Sequence, residues 1–320
     1  MAKKFKGIGC PCVTPFTKDG LLDLIHLREL VDYLINNEVK AILPASRCGE
    51  AYSLTISEYR EIIDTVIDQV NAAVPVYVGL PPDCFAQTVD IANYATDVGA
   101  DGFLISSPRL PTLSEQEVEA YFSSISSKID NNLLVLNDPD YTSVDLSVDL
   151  LLKLTDLSNI VGVVECSSDF NKLSAIRSKI DDDFAVFAGR GLFVPQALTK
   201  AQATGAIVPS ANIVPDLLGE LYEAHNLDMK DRFDELQTKM IPLEIGLKLG
   251  TSPVAIKACL NLLGIQVGLP RCPILPLPEK DLEKLKNILI ECGCLPPPVE
   301  SEDSTESSEE TQIRENNIYE

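Results

Sequence analysis

The chain has 320 residues, 45% of them hydrophobic and 23% charged, and its formal net charge is −22. That is enough apolar material for one large α/β domain or two ordinary ones. No uninterrupted apolar run approaches the roughly 18 residues that a membrane span needs, and so acidic a body repels phosphate backbones, which argues against nucleic acid and membranes as partners.

The opening "MAKKFK" is basic but leads into no apolar signal region, so a cytoplasmic protein is expected. Strands are predicted at residues 7–13, 40–45, 75–80, 101–106, 132–137, 160–165, 184–189 and 206–210. Amphipathic stretches lie between them, among them 22–37, 56–70, 85–98, 114–128 and 146–155. Ser114 with Glu117 three residues on is a helix-capping pattern. Eight strands, each followed by a helix, make a (β/α)8 TIM barrel the first choice. A doubly wound open sheet is the runner-up. It would usually carry a Gly-rich phosphate loop after its first strand, and "CVTPFTKDG" is not one.

Four more helical stretches, 215–225, 228–249, 253–263 and 279–290, predict a helical bundle appended to the barrel, so that residues 1–295 form one unit. The end of the chain, "CLPPPVESEDSTESSEETQIRENNIYE", has three prolines, then acids and hydroxyl residues with almost nothing apolar. Residues 296–320 are therefore expected to be a disordered acidic tail. The nine cysteines are scattered and odd in number, which reads as reduced thiols. Cys10 and Cys12 lack CxxC spacing, and the only histidines, His26 and His225, sit in helical patterns. No metal and no cofactor is predicted. A thiolate metal site or redox pair at Cys10 and Cys12 is the alternative.

In such a barrel the active site lies at the carboxyl ends of the strands. Read in order, those ends are "VTPF" (13–16), "ASRCGE" (45–50), "SSPRLP" (106–111), "LNDPDYTS" (136–143), "GVVECSS" (162–168), "AGRG" (188–191) and "PSAN" (209–212). The series resembles the dihydrodipicolinate synthase and N-acetylneuraminate lyase family of class I aldolases, from about residue 7 to 295. "PVAIKACLNLLG" (253–264) is similar to the family's helix after the barrel.

The resemblance implies a strand-six lysine that forms a Schiff base with pyruvate, in a motif like "GIKEA". Here "GVVEC" puts Val164 at that place. Leu136 stands where a proton-relaying tyrosine is implied, with Asn137 and Pro139 kept. Arg47 and Cys48 replace two hydroxyl residues of the carboxylate-binding turn, with Gly49 and Glu50 kept. Arg109 and Leu110 replace two tyrosines after strand four. The resemblance also implies a homotetramer built from dimers, with the post-barrel helices at or near the subunit contacts.

The catalytic positions Val164, Leu136 and Leu110 therefore read as degenerate. Arg47, Arg109 and Arg190 follow strands two, four and seven. Guanidinium forks match carboxylate and phosphate, so they predict a site for a small anionic or oxo-acid ligand; the competing reading is that each neutralises a nearby acid. Cys48, Gly49, Glu50, Asn137, Cys166 and Gly189 complete the predicted ligand site. The cysteines are nucleophiles or, more simply, small buried hydrophobes. Glu50 and Glu165 are acid–base candidates or struts that hold loops. The function expected from these residues is a non-catalytic or repurposed barrel, a pseudoenzyme that binds a small anion or serves in assembly. The alternative is a lyase or hydratase that acts on a small oxo-acid without a lysine.

Overall fold

A computed structural model of the protein describes residues 5–110 and 112–297. Eight parallel strands are present: β1 (Gly7–Cys10), β2 (Ala41–Ile42), β3 (Tyr77–Gly79), β4 (Gly102–Ser106), β5 (Asn132–Asn137), β6 (Ile160–Glu165), β7 (Ala185–Ala188) and β8 (Gly205–Ile207). Their hydrogen-bonded order is β2-β1-β8-β7-β6-β5-β4-β3. A single parallel bridge between Ile42 and Val76 brings β2 to β3 and nearly closes the ring. The fold is the (β/α)8 barrel expected from the alternation of strand and helix.

Local chemistry sets the helices between the strands. Thr55 and Glu58 form a reciprocal capping box that starts helix Ile56–Val70, and Ser114 with Glu117 does the same for Glu115–Ser126. The first of these helices buries Tyr59, Ile62, Ile63, Val66 and Val70 on one stripe. It ends at Asn71, which is left-handed (φ 45°).

The pleat sorts each strand's side chains between two cores. Val163 packs outward against the helices, whereas Val164 points inward with Leu104, Leu134, Phe187 and Ile207. Val164 is registered between Leu136 of β5 and Phe187 of β7. At the amino end of the strands, Phe5 stacks on Phe187 at 4.8 Å and meets Tyr77 edge-on at 5.6 Å, plugging the barrel. Near the other end, Asn212 accepts from Val13 N at 3.1 Å and donates to the Pro11 carbonyl at 3.1 Å, tying the exits of β1 and β8 together.

Helices Pro215–Asn226, Lys230–Gly246, Val254–Leu262 and Glu279–Glu291 follow the barrel. Three details differ from the sequence reading. β2 and β8 are shorter than predicted, and Pro209 opens a 3-10 turn, Pro209–Asn212, where continued strand was expected. A short helix, Pro139–Thr142, was not anticipated; Pro139 sits at its first position, where a missing N–H costs nothing. Lys230–Gly246 runs through Pro242 and stops three residues before the predicted end. Among the described residues, no helix is long and apolar enough to cross a membrane. The predicted tail from 298 onward lies outside the described residues.

Candidate active site

The strand ends open into a cavity of about 430 Å³. Its floor is apolar, built from Leu104 of β4, Leu136 of β5, Val164 of β6 and Ile207 of β8. Val164 is 1% exposed and brings only methyl groups to that floor. The wall is charged. The loop after β2 supplies Arg47 and Cys48, the segment after β5 supplies Asp138 and Asp140, and the exits of β6 and β7 supply Cys166, Gly189 and Arg190.

The predicted arginines do not form one open cluster. Arg47 Nη1 donates to Asp138 Oδ2 at 2.5 Å. Arg190 donates from Nη2 to Asp140 Oδ2 at 2.5 Å and from Nε to the Cys166 carbonyl at 2.5 Å. Arg109 donates from Nε to Asp83 Oδ2 at 2.7 Å and lies away from the cavity lining. Each guanidinium thus has an acid of its own. The partners differ in strength, however: the side chain of Asp138 is 9% exposed and that of Asp140 is 63% exposed. An exposed pair is worth about 1 kcal/mol or less, so an incoming carboxylate can replace Asp140 on Arg190 at little cost.

Three other residues of the predicted ligand site, Gly49, Glu50 and Asn137, and the degenerate catalytic position Leu110 lie outside the cavity lining. Gly49 lets its loop close onto the Cys12 carbonyl and the Ala45 amide; a Cβ there would sit 3.1 Å from each. Glu50 is fully buried and adopts a left-handed backbone (φ 57°). Its Oε1 lies 2.6 Å from Lys257 Nζ and its Oε2 accepts from Arg271 N at 2.8 Å. Burial lowers the Lys257 pKa to about 8 even beside that carboxylate. Asn137 donates to Glu165 Oε2 at 2.8 Å and accepts from Leu146 N at 2.9 Å. Leu110 is 56% exposed and does not line the cavity.

Glu165 is a strut of the same kind, and burial raises its pKa. Its Oε1 accepts from Ser167 N at 2.6 Å. Burial likewise pushes the Cys48 thiol up to about 12 and holds the Cys166 thiol well above its ordinary value. A nucleophile needs the opposite shift.

The cavity also contains two charged residues that the strand-end reading missed. Glu244, near the end of helix Lys230–Gly246, and Lys248, just beyond it, line the wall. Glu244 is 8% exposed, and its Oε1 is buried with no hydrogen-bond partner. Burial raises its pKa to about 7, against the smaller opposing effects of the facing Ser210 hydroxyl and of Lys248. The carboxyl lies against the turn after β7, where a Cβ on Gly191 would overlap it. One sequence signal was available. Glu244 falls on the buried stripe of its helix with Phe233, Leu236, Met240 and Leu243, a place where an acid is out of pattern.

The sequence pattern of the Dihydrodipicolinate synthetase family matches residues 4–292. The chain belongs to that family. Among the family's proteins, the 4-hydroxy-tetrahydrodipicolinate synthase of Methanococcoides burtonii is 31% identical over 293 residues, 91% of this chain and 99% of that one. That of Methanopyrus kandleri is 32% identical over 300 residues, 92% and 99% of the two chains. The crystal structure of dihydrodipicolinate synthase from Thermotoga maritima is similar with a TM-score of 0.87 at 29% identity, over 91% of this chain and 99% of that one. That from Bacillus anthracis gives 0.87 at 26%, over 92% and 99%.

These relatives overturn the expectation of a non-catalytic, repurposed barrel. Dihydrodipicolinate synthetase family members similar to this chain over about nine-tenths of its length are named as synthases, which supports an enzyme. The physical reason for the error is that loss of groups from the floor was read as loss of chemistry, while the charged wall above it was only partly visible in the sequence.

Proposed function

We propose that this family member is a lyase or hydratase that acts on a small oxo-acid without a Schiff-base lysine. The observation that carries the proposal is the lining of the cavity, with methyl groups of Val164 and Leu136 on the floor and ionisable groups on the wall. A Schiff base needs a primary amine poised beside the substrate carbonyl, and valine supplies none. The volume, about 430 Å³, lies in the range of small-molecule sites, roughly 300–1,000 Å³. The activity for which the relatives are named, 4-hydroxy-tetrahydrodipicolinate synthase, supports carbon-skeleton chemistry on a small acid.

In this reading Arg190 and Arg47 hold the substrate carboxylate, with Asp140 as the partner that yields. Cys48, Cys166 and Gly189 shape the walls. The nine free cysteines fit a reducing compartment such as the cytoplasm.

A panel of 4-hydroxy-2-oxo acids, assayed for pyruvate release and for dehydration, tests the proposal. Turnover is expected, with the protein mass unchanged after borohydride treatment in the presence of substrate. Arg190→Met is expected to raise KM about tenfold or more, the scale of one lost charge-assisted pair. A borohydride-stable adduct on any lysine at the cavity, Lys248 included, would overturn the lysine-independent mechanism.

The family also suggests a homotetramer for this chain. Static light scattering at micromolar concentration is expected to give four chains, and a clean monomer would remove that reading.

A further inference from the structure

We infer that Glu244 is the proton-transfer residue of the cavity, taking the C3 proton of a bound 2-oxo acid. The inference rests on the proposed function, which assigned no group to that step. Three geometric observations carry it. The carboxyl is more than nine-tenths buried, yet it lines the cavity. Its Oε1 makes no hydrogen bond and no ion pair, and the Ser210 hydroxyl is the one side-chain donor facing the carboxyl, whereas Glu50 Oε1 is paired with Lys257 and the Glu165 carboxyl is held by Asn137 and Ser167 N. A buried acceptor without a donor costs about 1–3 kcal/mol, which a purely structural residue gives no reason to retain. Finally, the turn after β7 has glycine at position 191, and any side chain there would displace the carboxyl from the wall.

The other acids do not serve. Asp138 is held by Arg47, and Asp140 is bound to Arg190 and points largely to solvent. Glu165 lies off the cavity lining under its Asn137 clamp. A carboxyl that titrates near neutrality is matched to moving a proton in either direction at physiological pH. Of the charged groups around it, Lys248 is the one whose field Glu244 feels, and it faces the same cavity.

The step balances without a further reactant. The C3–H bond of the 2-oxo acid breaks, and the proton goes to the Glu244 carboxylate. The electron pair moves through C2 onto the ketone oxygen, giving an enolate in the cavity that Lys248 also lines. Reversal returns the proton to C3. In dehydration of a 4-hydroxy-2-oxo acid the enolate pair instead forms the C3=C4 double bond, the C4–O bond breaks, and the departing hydroxyl takes the proton from Glu244 and leaves as water.

Exchange of the pyruvate methyl protons in D2O, followed by proton NMR on the full chain, isolates this step from the rest of the reaction. The wild type is expected to accelerate exchange over buffer. Glu244→Gln, which keeps the shape, is expected to lose about 10²–10⁴-fold. Pyruvate affinity by calorimetry should stay within about twofold, and the limb of the pH profile near 7 should disappear with the variant. Glu244→Asp is expected to recover part of the rate. Exchange that survives in Glu244→Gln with its pH profile unchanged would overturn the assignment and leave the lysine-independent reading standing. A wild type that neither binds nor exchanges any 2-oxo acid would overturn both.

Discussion

Replacing Lys257 by methionine is expected to cost roughly 3–5 kcal/mol of folding stability. Lys257 and Glu50 are 1% and 0% exposed and lie 2.6 Å apart, so removing the cation strands a carboxylate in a medium that cannot solvate it. More depends on the pair than its own energy. The ring of Phe16 meets both the Lys257 ammonium, 4.3 Å from its centroid, and the Arg271 guanidinium at 4.1 Å. Arg271 in turn donates to the Ser53 carbonyl at 3.0 Å and pairs with Glu58. Together these contacts strap down the loop that carries Arg47 and Cys48, including the left-handed backbone of Glu50. Denaturant unfolding of the variant should show the loss, and adding Glu50→Gln should restore part of it. A single variant within about 1 kcal/mol of wild type would mean that the pair is not the strap described.

The second large effect is a change in how stability follows pH. The carboxyl of Glu244 titrates at about 7 in the folded chain against 4.5 in the ordinary state, because burial disfavours its charged form. Between those values the folded chain holds a proton that the unfolded chain has released. Its contribution is therefore fully present below about 4.5 and lost as pH rises through 7. The difference corresponds to roughly 3 kcal/mol. Glu244→Gln should match the wild type near pH 4.5 and exceed it by about that amount at pH 8. Parallel stability curves for the two proteins between pH 4.5 and 8 would show that Glu244 titrates normally.

The two predictions mark where the sequence was readable and where it was not. The barrel was legible because its signal is periodic. Each strand is a short apolar run, and the capping pattern at Ser114 announces a helix without any help from tertiary structure. Shorter-range features were harder. The two residues of β2 and the turn at Pro209 depend on how the ring closes, which no local pattern encodes. At the site, Val164 was singled out by the resemblance of "GVVEC" to the family's strand-six motif, and it does point inward. That each arginine neutralises an acid was one of the two readings, but which acid takes Arg47 did not follow, because Arg47–Asp138 and Arg190–Asp140 join loops 91 and 50 residues apart in the chain. Glu244 was missed because the search for chemistry stopped at the strand ends, whereas this residue reaches the mouth from a helix that follows the barrel.

The closure of the ring has a mechanical consequence. β5 and β6 share five registered pairs, while β2 and β3 meet through the Ile42–Val76 bridge, with hydrogen bonds from Ile42 N to the Pro75 carbonyl at 3.0 Å and from Gly79 N to the Pro44 carbonyl at 2.8 Å. The staves of the barrel are thus firmly glued along one arc and lightly joined along the other. Cys166 and Arg190 ride on the firm arc, and Arg47 and Cys48 hang from the light one. The straps from Lys257 and Arg271 to Glu50 and Ser53 therefore brace the loop after β2 at the place where the barrel wall itself is most lightly joined.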